Sequence, residues 1–227
     1  MSARDQILAR VATSLRRGWG AGGGHAHRTP PRATPEKPAA LPLRDRFTSE
    51  LEALGGRVHA ARSDAEAIQA VTGICAERRA PCVLAWYEQH VGLPGLRHAL
   101  FDRKIGYDTG WLPDGEPARS ERLQSLGRIA VGVTGVAAAI ADSGTIAVVS
   151  GPGRPRLASL LPPVHVAVLR EDRLYASLPA LLAAHPGLAE QGSNLVLITG
   201  PSRTADIEMT LTRGVHGPGE VHVVLLP

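Results

Sequence analysis

The chain has 227 residues, of which 44% are apolar, 20% charged and 4% aromatic, and its formal charge is +4. A chain of this length can bury roughly 70% of its unfolded surface as one ordinary domain, so its fold needs no disulfide or metal. No stretch reaches the ~20 consecutive apolar residues of a membrane helix, and the N-terminus lacks the apolar segment of a secretory signal. We therefore expect a soluble, globular, cytoplasmic protein without a membrane span.

The basic charge is concentrated at the N-terminus. Residues 1–42 carry seven basic and two acidic side chains, a net +5, whereas the other 18 basic and 19 acidic residues give −1. Because contact with phosphates drives nucleic-acid binding by a folded surface, a near-neutral main body argues against that function. We expect no nucleic-acid partner.

The two cysteines, Cys75 and Cys82, have neither a metal-binding nor a redox spacing. A low number of free cysteines is typical of the reducing cytoplasm. Iron–sulfur clusters usually take more thiolates than this chain has, so a cluster held by this chain alone is nearly excluded. His25 and His27 are too few ligands for a metal site by themselves. The sequence thus predicts no metal and no cofactor in this chain.

Composition divides the chain into three segments. Residues 1–17 place apolar side chains on one side of a helix, which predicts an amphipathic helix that packs on the main body or on a neighbouring subunit; membrane-surface binding or organelle targeting is the alternative. Residues 18–42 are rich in Gly and Pro and predict a flexible linker. Residues 43–227 have regular apolar patterns and predict the folded domain.

Helices and strands alternate along this domain. Helices are predicted over 43–54, 64–79, 92–100, 117–126 and 178–184, and strands over 57–60, 82–86, 104–107, 164–169, 195–199 and 221–226. Two further buried strands are predicted within 129–151, joined by a turn at 142–144. Strands without polar alternation are covered on both faces. The pattern therefore predicts an α/β fold, a mostly parallel sheet with helices on both faces.

The first candidate site follows the predicted strand 195–199, because ligands of open α/β sheets bind beyond the carboxyl ends of strands. Ser202 or Thr204 is expected to cap a helical turn whose N–H groups form an anion site, and Arg203 offers two parallel donors to a carboxylate or phosphate. In the alternative interpretation Arg203 pairs with a neighbouring acid and binds no substrate. The candidate binding residues are Gly200, Ser202, Arg203 and Thr204, and the candidate acid–base residues are Asp206 and Glu208.

Three further features are candidates for chemistry. Asp142 either forms the turn between two apolar strands or faces the first segment as a pocket carboxylate. The glycine-rich loop 150–155 is only loosely similar to a phosphate-binding loop. His216, in a glycine-flanked loop, is either a general base or a hydrogen-bonded loop residue. The additional candidate binding residues are Ser143, Gly144, Thr145, Gly151 and Gly153.

Two long blocks, residues 141–169 and 195–226, resemble the lactate utilization protein C family of LUD-domain proteins. The matching motifs are Thr134-Gly135, Asp142-Ser143-Gly144-Thr145, Ser150-Gly151-Pro152-Gly153, Leu161-Pro162-Pro163-Val164-His165, Gly200-Pro201-Ser202-Arg203-Thr204-Ala205-Asp206-Ile207-Glu208 and Gly214-Val215-His216-Gly217-Pro218. The resemblance covers the C-terminal half closely and residues 1–128 only by general layout.

The resemblance implies the fold shared by glucosamine-phosphate deaminases, ribose-phosphate isomerases and CoA transferases. It further implies work beside two iron–sulfur partner proteins in oxidising L-lactate to pyruvate, with the clusters on the partners. We expect this subunit to bind a small anion at the strand ends, and a homo-oligomer is compatible with its apolar N-terminal face. Two alternatives stay open: a non-catalytic module that assembles the iron–sulfur subunits, and a transferase- or ligase-like enzyme using CoA or a folate.

Overall fold

The structure is a computed structural model that describes Thr13 and residues 41–205, 211–213 and 216–227, with only the backbone described for residues 204, 205 and 211–213. The N-terminal helix predicted over 1–17 lies outside the described residues, apart from Thr13. So does the linker predicted over 18–42, except for its last two positions. The described residues from Leu41 onwards belong to one structural unit.

The described chain contains six α-helices and twelve strands. The helices are α1 (Leu43–Ala53), α2 (Asp64–Glu77), α3 (Glu88–Val91), α4 (Leu96–Asp102), α5 (Ala118–Leu126) and α6 (Leu178–Ala184). The strands are β1 (Arg57–Ala60), β2 (Cys82–Ala85), β3 (Gly106–Asp108), β4 (Val131–Gly135), β5 (Ala138–Ile140), β6 (Thr145–Ser150), β7 (Val164–Arg170), β8 (Leu174–Tyr175), β9 (Asn194–Ile198), β10 (Arg203–Ala205), β11 (Leu211–Arg213) and β12 (Glu220–Leu226). None of the described helices is long and apolar enough to cross a membrane.

Six strands form a parallel sheet in the order β1-β12-β7-β4-β2-β3. The inner strands β4, β7 and β12 are buried along nearly their whole length, as expected for a sheet covered by helices. The α/β class predicted from the sequence is therefore confirmed. From β2 the chain moves outward to β3 at one edge of the sheet. It then returns to β4, on the other side of β2, and continues through β7 to β12 in the opposite direction. The winding direction therefore reverses between β2 and β4.

A second sheet, in the order β8-β5-β6-β9, was not predicted. Its β5–β6 and β6–β9 pairs are antiparallel, and only β5–β8 is parallel. Residues 129–151 hold three strands and not the predicted two, because the chain leaves the parallel sheet after Gly135, the end of β4, and forms β5 and β6 in the second sheet. The predicted turn at 142–144 is present and joins β5 to β6. The strand predicted over 195–199 is present as β9, but it also belongs to this second sheet.

The apolar run misled the prediction because both faces of the second sheet are buried. Ala138 and Ile140 of β5 pack in a small cluster with Leu181 and Leu188, whereas Ala139 packs in the main core. The residues of β6 divide between the same two clusters. Antiparallel strands covered on both faces lose the polar alternation that usually marks them.

Local signals at helix ends agree with the structure. Gly55 has φ +85 immediately after the C-cap of α1, which confirms the predicted helix stop. The Ser63 side chain accepts a hydrogen bond from the backbone N–H of Glu66 at 3.3 Å, which confirms the predicted cap of α2. The Glu66 carboxylate accepts the backbone N–H of Arg62 at 2.8 Å, one residue earlier than a capping box predicts.

Candidate functional site

The crevice at the switch in winding lies at the carboxyl ends of β2 and β4. In open α/β sheets such switch points are where ligands bind. The crevice has a volume of about 340 Å³. Its walls are formed by Trp86, Gln89, His90, Val136, Ala137, Val149, Arg154, Arg173 and Gln191. The residues thus come from both sheets and from the loops between them.

The glycine-rich loop 150–155 is bound to the end of β2. The backbone N–H of Tyr87 donates to the carbonyl of Gly153 at 2.8 Å, and Nε1 of the buried Trp86 donates to the carbonyl of Pro155 at 3.2 Å. Gly153 has φ +68, and a Cβ there would lie 3.0 Å from the His90 ring. The loop therefore needs glycine for its backbone turn and for its close approach to His90.

The same loop presents Arg154 to the crevice. Gly151 and Arg154 exchange two backbone hydrogen bonds, of 3.1 and 2.8 Å, which close the loop as a turn. Those two N–H groups are used within the loop, so they do not form a phosphate cradle. The Arg154 guanidinium donates from Nη2 to the carbonyl of Gln191 at 2.8 Å, and its buried Nε–H has no hydrogen-bond partner among the residues that the structure describes.

A second guanidinium, that of Arg173, also lines the crevice. Its Nη1 donates to the carbonyl of Val136 at 2.5 Å, just beyond the end of β4. Within the described part of the chain, neither Arg154 nor Arg173 forms an ion pair with a carboxylate. Two arginines anchored by backbone carbonyls, with donors to spare, provide a positive site for an anion.

A larger hollow of about 640 Å³ adjoins the crevice and shares Gln89 with it. Tyr87, which is 49% exposed, lines this hollow with Arg97 and Tyr107. The Tyr107 hydroxyl donates to the carbonyl of Trp86 at 2.5 Å, and burial raises the pKa of this phenol, so it stays protonated. The hollow offers an aromatic surface beside the positive crevice.

A second, separate cavity of about 240 Å³ lies at the amino ends of β7 and β12. It brings together three residues that the sequence singled out, Gly200, Ser202 and His216. The N–H of Ser202 donates to the carbonyl of Pro218 at 2.9 Å, which holds the two loops of this cavity together.

The innermost polar residue of this cavity is His165, which is fully buried. Its Nε2 lies 2.9 Å from the Thr134 hydroxyl, and its Nδ1 has no protein partner among the described residues. Burial, with a smaller contribution from His222, lowers the pKa of His165 to about 4. The imidazole is therefore neutral near pH 7.

The remaining predicted residues do not gather at one place. Arg203 is exposed and forms part of β10, which pairs with β11, so the helical turn predicted after Gly200 is wrong. Extended pairing replaces the helix because residues 203–205 find partners in residues 211–213. The backbone of Thr204 belongs to the same strand, whereas Asp206 and Glu208 lie outside the described residues.

The turn 142–145 packs against the helix α1. Asp142 is exposed and its N–H donates to the carbonyl of Ala176 at 3.1 Å. A Cβ on Gly144 would lie 2.4 Å from the Leu51 nitrogen, so only glycine fits. The Thr145 hydroxyl lies 2.9 Å from the hydroxyls of both Ser143 and Thr199. These contacts give the turn a structural role.

The sequence interpretation missed His90, Arg154, Arg173 and His165. Arg154 lay inside a loop already chosen for its glycines, and His165 was the single polar residue of an apolar strand, so both had a signal. Arg173 and His90 had none, since they reach the crevice only through the packing of the two sheets. In the described ranges, no group of three or more His, Cys, Asp or Glu side chains is placed to hold a metal ion.

The parallel sheet, its helices and the smaller second sheet define the class, an α/β protein. A sequence model of the LUD domain matches residues 44–226. The chain therefore belongs to the LUD-domain family. A crystal structure of a DUF162 family protein from Deinococcus radiodurans matches with a TM-score of 0.59 at 20% identity, covering 82% of this chain and 96% of that one, and supports the fold.

Several sequence relatives are named lactate utilization protein C, and two of them show the range of coverage. The one from Exiguobacterium sp. is 37% identical over 120 residues, which cover 51% of each chain. The one from Halalkalibacterium halodurans is 31% identical over 155 residues, 66% of this chain and 64% of that protein. The chain thus spans between about half and two thirds of the length of these relatives.

Proposed function

We propose that the protein is a subunit of an L-lactate utilisation system and holds a small carboxylate in the switch-point crevice. The names of its relatives support the system. The observation that carries the binding site is the pair Arg154 and Arg173, which line the crevice without a described carboxylate partner. In this proposal the anion binds at Arg154 and Arg173 and not at Arg203, where the sequence had located it.

The crevice suits a short hydroxy acid or oxo acid. A guanidinium binds a carboxylate through two parallel N–H donors, and the unpartnered Nε–H of Arg154 is one such donor. Trp86, Val136 and Val149 supply apolar wall for a methyl group. The His90 imidazole lies on the same wall, where it can hydrogen-bond a hydroxyl or carbonyl oxygen.

Electron transfer would then depend on partner proteins that carry iron–sulfur clusters, as the family resemblance implies. The two thiols of this chain are poor cluster ligands, because burial raises the pKa of Cys75 to about 12 and also raises that of Cys82. In this proposal the subunit positions the substrate, works in the cytoplasm, and leaves redox chemistry to its partners.

Calorimetric titration of the full chain with L-lactate and with pyruvate tests the binding site. We expect Arg154→Ala or Arg173→Ala to weaken binding by about 10- to 100-fold, since each removes a charge-assisted hydrogen bond. Arg203→Ala is the matched control, because its exposed side chain lines neither cavity. Unchanged affinity in both crevice variants, or loss of binding in the Arg203 variant, would overturn the proposed site.

The adjoining hollow supports a second candidate, a CoA- or folate-using enzyme. A larger ligand could place its acidic groups at Arg154 and Arg173 and a ring system against the exposed face of Tyr87. Thermal-shift measurements with CoA, folates and hydroxy acids distinguish the two functions, because a ligand of the folded state raises the melting temperature. Stabilisation by CoA or a folate that Tyr87→Ala abolishes would favour the larger ligand.

The assembly function calls for a different experiment. Iron–sulfur partners would be captured with the full chain and with a chain lacking residues 1–42. If capture needs residues 1–42 while lactate oxidation tolerates Arg154→Ala and Arg173→Ala, the subunit assembles the complex and does not bind substrate. If oxidation falls in the two arginine variants while capture is intact, substrate binding is the better description.

A further inference from the structure

The cavity at the amino ends of β7 and β12 has the composition of a ligand site. Most of its wall is apolar, with Leu160, Val196, Ile198 and Val221 among its residues. Polar groups are confined to a few positions, and the deepest is the ring of His165. Apolar walls with a small number of placed polar groups are typical of small-molecule sites.

The hydrogen bonding of His165 assigns the proton on its ring. The buried Thr134 hydroxyl has His165 Nε2 as its one described hydrogen-bond partner, at 2.9 Å. A buried hydroxyl needs an acceptor, so Thr134 donates to Nε2. The ring proton of the neutral imidazole is then on Nδ1, and this buried donor has no protein partner in the described chain. An N–H donor of this kind is satisfied by an acceptor oxygen.

A positive charge stands at the edge of the same cavity. Arg156 begins the 3₁₀ helix Arg156–Ser159, and its exposed side chain forms no ion pair with a described carboxylate. The cavity therefore combines an apolar wall, a buried N–H donor and one guanidinium without a described carboxylate partner. A carboxylate attached to a hydrocarbon body satisfies all three.

We propose that this cavity binds a small branched monocarboxylic acid, for which 3-methylbutanoate is the probe. A carboxylate oxygen accepts the Nδ1–H of His165, Arg156 compensates the charge, and the branched chain lies on Leu160, Ile198 and Val221. The site is distinct from the crevice of Arg154 and Arg173, and it does not depend on lactate binding there.

The test follows the histidine ring nitrogens of the full chain by NMR during titration with 3-methylbutanoate and, separately, acetate. We expect the His165 Nδ1–H resonance to move with 3-methylbutanoate. The three additional carbons should tighten binding about 50-fold over acetate, since each buried CH₂ contributes about fourfold. Either of two outcomes would overturn the proposal. One is a His165 signal that does not respond, as expected if only water occupies the cavity, and the other is equal affinity for the two acids.

Three variants separate this site from a structural role of His165. A Cβ on Gly217 would lie 3.7 Å from that of Ser202 and 3.9 Å from Leu160, so Gly217→Leu fills the mouth and leaves His165 in place. It should abolish 3-methylbutanoate binding while L-lactate binding and the melting temperature are kept. His165→Gln should weaken binding about tenfold, and Arg173→Ala should leave it unchanged. Retained binding in Gly217→Leu contradicts the proposal.

Discussion

The two ends of the parallel sheet hold cavities of different chemistry. At the carboxyl ends, the crevice is lined by two guanidinium groups anchored on backbone carbonyls. At the amino ends, the cavity is mostly apolar and its deepest polar group is the neutral ring of His165. The first can attract an anion with two guanidinium groups, whereas the second can select by shape and by one buried hydrogen bond, with a single exposed guanidinium, that of Arg156, at its edge.

Both ends depend on a glycine of β4 that lets a neighbouring backbone approach. A Cβ on Gly132 would lie 1.9 Å from the carbonyl oxygen of Ala158, in the 3₁₀ helix beside the amino-end cavity. A Cβ on Gly135 would lie 2.3 Å from the carbonyl oxygen of His90, in the wall of the crevice. One strand thus sets the position of a wall at each end.

The largest expected effect is that of Gly132→Ala. Because the new Cβ would lie 1.9 Å from a backbone oxygen and the backbone would have to shift, we expect the free energy of unfolding to fall by more than about 3 kcal/mol. Gly135→Ala should be nearly as damaging. Urea denaturation followed by circular dichroism measures both.

The matched control for these variants is Gly73→Ala in the middle of α2. A Cβ there meets nothing within 4 Å. This change should raise the free energy of unfolding by about 1 kcal/mol, since alanine favours the helix. If all three variants were equally stable, the close approaches at β4 would not exist in solution.

Acid should destabilise the amino-end cavity. The pKa of His165 falls from 6.5 to about 4 on folding. Between these two pH values the unfolded chain therefore binds a proton at this imidazole and the folded chain does not. This contribution is fully present above about pH 6.5 and is lost as the pH falls towards 4, about 3 kcal/mol in all. Urea denaturation of the wild type from pH 7 to pH 4 measures it.

The control for the acid effect is His165→Gln, which keeps the other histidines. Burial also lowers the pKa of His59 and His222, which lie 2.9 Å apart across β1 and β12, and they add to the acid sensitivity of both proteins. Between pH 7 and pH 4 the free energy of unfolding of the variant should therefore fall by about 3 kcal/mol less than that of the wild type. If the free energies of unfolding of the wild type and the variant fell equally between pH 7 and pH 4, His165 would not be buried as the structure describes.

Removing the partner of His165 should have a smaller effect. Thr134→Val keeps the shape of the side chain but leaves Nε2 of His165 without its hydrogen bond, and we expect a loss of about 2 kcal/mol in the free energy of unfolding. Thr72→Val is the control, because that hydroxyl donates only to carbonyls of its own helix, at 2.9 and 3.2 Å. Equal losses in the two variants would argue against a special bond at His165.

The sequence was informative where a structure is encoded locally. The stop at Gly55 and the cap at Ser63 depend on a few neighbouring residues, and both are present. The second sheet could not be predicted from periodicity, because alternate residues of β5 and β6 face two different cores. The crevice was missed for a related reason. Arg173 lies between β7 of the parallel sheet and β8 of the second sheet, so it reaches the crevice only through the packing of the two sheets.

The smallest expected effect is the difference in how salt weakens ligand binding at the two ends of the parallel sheet. Raising sodium chloride from 0.05 to 0.5 M shortens the Debye length from roughly 14 to roughly 4 Å, so it screens Arg154 and Arg173 and should weaken L-lactate binding several-fold. At the amino-end cavity, apolar burial supplies most of the affinity, His165 is uncharged and Arg156 is the one described guanidinium, so 3-methylbutanoate binding should weaken less than L-lactate binding does, by about twofold. Titration of both acids into one preparation at each salt concentration measures the difference, with Arg203→Ala as a control for general loss of surface charge. If the two acids respond equally to salt, the division between a charged and an apolar end fails.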